Sequence, residues 1–89
     1  MTGPKLVEFD AILRGELTYA RVERCVELIR QVGADDGESD EECAHGMEDK
    51  LHQAVLQDIA TQKWSGRSCA DLAEIALRTR QIKFSRWCA

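Results

Sequence analysis

Apolar residues recur at three- and four-residue steps in four separate stretches, which is the spacing of one helix face. In the first, Leu6, Phe9, Ile12 and Leu13 lie between Pro4, suited to a first helical turn, and Gly15, suited to a helix exit. Thr18 then offers a cap to a second stretch with its stripe at Tyr19, Val22, Cys25, Val26, Ile29 and Val32, closed by Gly33. Residues 33–39, rich in Gly, Asp and Ser, read as an exposed acidic loop. Ser39 and Glu42 have capping-box spacing, and Asp40, Glu41 and Glu42 would fill a first turn where negative charge offsets the helix dipole. That third helix carries Cys43, Met47, Leu51, Ala54, Val55 and Ile59 inward, with Glu41, His45, Glu48, Asp49 and His52 toward water. Gly46 within it suggests close packing or a bend. Ser68 and Asp71 open a fourth helix with Leu72, Ile75, Ala76, Thr79 and Ile82 as its stripe. The expected fold is an all-α bundle of about four helices, roughly 4–14, 19–32, 40–63 and 69–82, forming one domain over residues 1–89. No strand alternation competes with this reading.

The chain has 89 residues, 44% of them hydrophobic and 31% charged, with one Pro and six Gly. That balance excludes a wholly disordered or collagen-like chain. No apolar run approaches the ~20 residues of a membrane span, and MTGPKLVEFD lacks the apolar core of a signal peptide, so a soluble, cytoplasmic domain is expected. Phe84, Trp87 and Cys88 give the C-terminus an apolar load, expected either to dock on the bundle or to form a homodimer contact.

Charge changes the picture when read by segment. Residues 1–50 hold thirteen acids and six bases, whereas 67–89 hold five bases and two acids. The net charge of −4 is therefore an acidic body with a basic end.

Candidate chemistry is sparse. No phosphate-binding loop, dinucleotide fingerprint, zinc-protease or nucleophile-elbow motif occurs. Cys43 and His45, two apart, point to opposite sides of a helix, so they form neither a nucleophile–base pair nor paired metal ligands. His45 and His52 share a face but stand about 10 Å apart along it, too far for one tetrahedral ion. Each has an acid four residues away or toward it, Asp49 for His45 and Glu48 for His52. The acidic loop fails as a calcium loop, because Val32 would have to be its first ligand. Cys25, Cys43, Cys69 and Cys88 are expected as free thiols, three of them acting as small core hydrophobes. No catalytic residue, metal or cofactor is assigned.

Two binding readings remain. In the first, Asp35, Asp36, Glu38, Asp40, Glu41, Glu42, Glu48 and Asp49 form an acidic surface for another protein with a basic face. In size and charge the chain is similar to small acidic helical inhibitors made by mobile elements against host nucleoprotein machinery, anti-CRISPR proteins included. That likeness implies a stoichiometric inhibitor. In the second, LAEIALRTRQIKFSRW (72–87) resembles the helix-turn-helix of small transcriptional regulators. The resemblance implies a Ser68 cap, with Arg78, Arg80, Lys83, Ser85 and Arg86 toward the DNA groove. It covers sixteen residues, and Ala76, Leu77 and Arg78 stand where the family usually has a turn glycine.

Overall fold

A computed structural model describes residues 2–34, 40–61, 64–84 and 86. Four helices follow in order: α1 (Thr2–Arg14), α2 (Tyr19–Ala34), α3 (Glu41–Ala60) and α4 (Arg67–Leu77), the last running into a 3-10 turn at Arg78–Gln81. The protein is an all-α bundle, with no strand among the described residues. α2 is its centre, packing on α1, α3, α4 and the 3-10 turn.

The predicted stripes form the core. Phe9, Val22, Cys25, Ile29, Val32, Met47, Leu51, Val55, Leu72, Ile75 and Ala76 are buried, joined by Leu17, Leu28, Ala44 and Phe84, which the periodicity did not single out. Tyr19 departs from its stripe. It is exposed and stacks on Trp64.

Helix ends are set by particular contacts. Thr18 Oγ1 accepts the Arg21 N–H at 3.1 Å and caps α2 as expected. α1 stops at Arg14, just before Gly15, and the Arg21 guanidinium lies over this end, its Nη2 donating to the Ile12 carbonyl at 3.0 Å. That guanidinium thus satisfies one of the end carbonyls of α1.

Other ends differ from the sequence expectation. α3 is capped by Asp40, whose carboxylate accepts the Cys43 N–H at 3.0 Å, rather than by Ser39. Ser39 lies outside the described residues. Ser68 sits inside α4 and bonds back to Ser65, while Gly66, at φ +55°, occupies the cap position that a side chain would strain. Gly33 does not close α2. It stays helical and buried, and a Cβ there would meet Ala44 Cβ at 2.8 Å and Phe84 Cδ1 at 2.9 Å. The close approach expected at Gly46 is therefore made at Gly33. Gly46 is exposed with open space around it.

α4 also ends earlier than predicted. After Leu77 the chain tightens into the 3-10 turn and leaves it extended at Ile82, with φ −75° and ψ 130°. Tertiary contacts explain the change: Thr79 is fully buried, and the extended segment lays Phe84 into the slot at Gly33.

Candidate functional site

The exposed start of α3 is the first surface to consider. Asp40, Glu41 and Glu42 are all exposed, and their backbone is fixed by the Asp40 cap and the Ala44 N–H bond to the Asp40 carbonyl at 2.9 Å. Two turns on, Asp49 is exposed and His45 Nε2 reaches it at 3.8 Å, the pairing its spacing predicts. Asp35, Asp36 and Glu38 lie outside the described residues.

Glu48 does not belong to this surface. The residue is buried at 1% exposure, so its assignment to the water-facing acidic set is corrected. Arg86 grips it bidentately, Nε to Oε1 at 2.8 Å and Nη2 to Oε2 at 3.0 Å, and Arg80 Nη1 stands 3.5 Å from Oε1. The Thr79 hydroxyl also hydrogen-bonds the carboxylate. Burial pushes the Glu48 carboxyl upward, but the hydrogen bonds from Arg86 and Thr79 and the two guanidinium charges outweigh it, leaving it below its ordinary value. Arg86 completes its fork on backbone, donating to the carbonyls of Thr79 at 2.9 Å, Ile82 at 3.3 Å and Phe84 at 3.1 Å. Its guanidinium carbon lies 3.9 Å from the Phe84 ring centroid.

His52 is likewise redirected. Its Nε2 lies 3.1 Å from the Ala76 carbonyl and 2.9 Å from Thr79 Oγ1 rather than pairing with Glu48. His52 Nε2 thus sits between the Ala76 carbonyl, which can only accept, and the Thr79 hydroxyl, which can do either.

The residues proposed to face a DNA groove are placed differently from a recognition helix. Arg78 pairs with Glu74 at 2.8 Å and with Glu23 at 3.4 Å, and Arg80 and Arg86 both serve Glu48. Lys83 is exposed. No helix follows Gln81 among the described residues, so the second helix of a helix-turn-helix is absent there. Ser85 lies outside the described residues.

The cysteines are placed as small hydrophobes. Cys25 is buried and its thiol is pushed up to about 12, chiefly by burial. Cys43 is half-buried and raised in the same direction for the same leading reason, and Cys69 is half-buried with a free thiol. Cys88 and Trp87 lie outside the described residues, whereas Phe84 is docked on its own bundle. Among the described residues no three His, Cys, Asp or Glu side chains gather as a metal site, and no helix is long and apolar enough to cross a membrane.

Sequence reasoning missed two features. The Glu48–Arg86 pair spans 38 residues and has no local signal. The Tyr19–Trp64 stack joins a helix start to an interhelix loop. Only the presence of a Trp in the short WSGRS segment hinted that something there needed covering.

These features define a small all-α bundle with an acidic helix start and a basic end in which Arg78, Arg80 and Arg86 are paired with acids of the chain. No family model, curated protein or solved structure matches the chain.

Proposed function

We propose that the protein acts stoichiometrically, by binding another protein with a basic surface through the exposed carboxylates of α3: Asp40, Glu41, Glu42 and Asp49, extended in sequence by Asp35, Asp36 and Glu38. The observation that supports this reading is where the basic end spends its charge. Arg78, Arg80 and Arg86 are engaged with Glu74, Glu23 and Glu48, while the α3 carboxylates face outward on a capped helix. The α3 carboxylates thus present negative charge to solvent from a fixed helix start. Carboxylates held on a helix start have little conformational freedom left to lose, and they suit a basic groove that otherwise holds phosphates, as in a nucleoprotein complex. Catalysis has no part in the proposal. The Cys25 thiol is buried and raised, and His52 Nε2 is engaged with the Ala76 carbonyl and the Thr79 hydroxyl.

The test is the variant Glu41→Lys, Glu42→Lys, Asp49→Lys. Asp40 is spared because its side chain caps α3. Affinity capture with mass spectrometry should identify a basic partner with wild type, lose it with the triple variant at unchanged circular dichroism, and retain it with Lys83→Glu. Capture should weaken as salt rises above physiological strength, where the screening length is already about 8 Å. Retention by the triple variant, or a shift of duplex DNA by wild type at physiological salt, overturns the reading.

A further inference from the structure

α3 and α4 run antiparallel along one side of the bundle. Glu48 meets Thr79 and Arg80, His52 meets Ala76, and Leu56, one turn on, shares a groove with Ala73. That groove, of about 190 Å3, is lined by His52, Val55, Leu56, Ala73, Ala76 and Leu77. His52 is the one titratable side chain in this lining, and its Nε2 is already engaged by Ala76 and Thr79. On the α3 bank Leu56 is 66% exposed, and on the α4 bank Leu77 is 57% exposed. Two of the four exposed large apolar side chains among the described residues therefore flank one apolar floor.

Charge distinguishes the two banks at one end of the groove. Asp49, next to Glu48 on α3, is exposed, meets His45 at 3.8 Å and shares an adjoining cleft with His52 and Leu56. On the α4 side, at the level of Glu48, stands Arg80, also exposed. Arg86 already holds both oxygens of Glu48, so Arg80, at 3.5 Å, is a second guanidinium on a single carboxylate charge. An acid is left over on one bank and a base on the other.

Such a surface is complementary to itself. A two-fold axis along the groove turns the α3 bank of one copy onto the α4 bank of the other. Leu56 then meets the partner's Leu77, Asp49 meets the partner's Arg80, and each contact is made twice. An axis across the groove would instead set Asp49 over the far end of α3, where Gln57 and Ala60 offer no cation. A basic segment from another protein would satisfy Asp49 but bring a cation up to Arg80.

We propose that the groove between α3 and α4 is the interface of a symmetric homodimer. α3 from Asp49 to Ala60, with the helix beside it, presents a face of about 18 Å by 20 Å, smaller than the ~800 Å2 per partner of a standard stable interface. The dimer is accordingly weak and concentration-dependent. Glu41 and Glu42 stay outside the contact, so each dimer carries two acidic helix starts.

Sedimentation equilibrium across the micromolar to millimolar range should show a monomer–dimer equilibrium. In a mixture of isotope-labelled and unlabelled chains, intermolecular nuclear Overhauser contacts should join the Leu56 and Leu77 methyl groups. Leu56→Ser and Leu77→Ser, both at exposed positions, should each weaken dimerisation about tenfold at unchanged circular dichroism. Asp49→Arg and Arg80→Asp should each weaken it about three- to tenfold, through two symmetry-related pairs, and combined should return it toward wild type. Glu41→Lys with Glu42→Lys should dimerise as wild type, so failure of the acidic-surface reading leaves this one standing. The proposal is overturned if wild type stays monomeric at millimolar concentration, if both leucine variants dimerise unchanged, or if the charge exchange fails to restore association. Contacts from Leu56 to the partner's Leu56, or from Trp87 to Leu56 within a monomer, overturn it too, the latter by assigning the groove to the chain's own end.

Discussion

Glu48 shows how far a single side chain can depart from its local pattern. By helical spacing it shares a face with Glu41, Asp49 and His52, a face that reads as solvated. Arg86, 38 residues later, converts that position into a buried ion pair. Removing one partner of such a pair strands a desolvated charge, which costs about 3–5 kcal/mol, whereas replacing both with apolar residues costs far less. Arg86→Ala should therefore lower the denaturation midpoint strongly, and Glu48→Met with Arg86→Met should recover most of the loss. The pair also sets a pH dependence. Because the folded carboxyl lies below its unfolded value of about 4.3, its contribution is fully present above that value and is lost as pH falls through the lower folded one. Glu8, Glu27 and Glu74 are also lowered, chiefly by hydrogen bonds from arginines, Glu27 to about 2. Wild type should consequently lose stability below pH ~4, and Glu48→Gln should lose less over the same range. Urea denaturation of both proteins at pH 7 and pH 3 checks this. Equal losses would mean that Glu48 contributes nothing to acid sensitivity.

Among the helices, what was legible depended on whether a signal was local. The stripes of α2 and α3 stood out because each repeats over several turns, and their buried members are largely those the period selects. The ends of α3 and α4 did not, because Asp40 competes with Ser39 for one cap and Thr79 is drawn out of the helix by His52 and Glu48. Gly33 and Gly46 divide in the same way: the sequence put Gly33 at a helix end and Gly46 inside a helix, whereas both are helical and packing separates them. Gly33→Ala forces a methyl against Ala44 and Phe84, so it should destabilise by about 1–3 kcal/mol. Gly46→Ala enters open space and removes backbone entropy from the unfolded chain, so it should stabilise by about 0.5–1 kcal/mol. Leu51→Ala, at a fully buried stripe position, should cost about 2–5 kcal/mol. Thermal unfolding of the three variants checks all three signs. A destabilised Gly46→Ala would overturn the account of α3 as an unstrained helix at that point.

For the molecule as a whole, the segment after α4 closes the bundle. Described end to end, the structure extends 41 × 22 × 20 Å. α2 and α3 meet closely at Gly33 and Ala44, and Phe84 covers that contact. Arg86 then fixes the segment to Glu48 and to three carbonyls of the segment itself. Within the basic end of the chain, Arg86 is a largely buried counter-charge to Glu48, and Arg78 and Arg80 pair with acids at the surface. A chain ending at Lys83 loses both attachments together. It leaves a slot the size of a Phe ring, where Phe→Ala substitutions cost about 3–5 kcal/mol, and it leaves Glu48 buried without its bidentate partner. Net stabilities of small domains are about 5–15 kcal/mol, so the two losses approach the total. The truncated chain should be largely unfolded at 37 °C, with the far-UV helical signal reduced and the melting transition broadened or lost. Phe84→Ala and Arg86→Ala singly should each remain folded at 25 °C with lowered midpoints. If the truncated chain melts no lower than Phe84→Ala alone, the Arg86–Glu48 pair adds nothing to closure, and the segment is held by its aromatic ring alone.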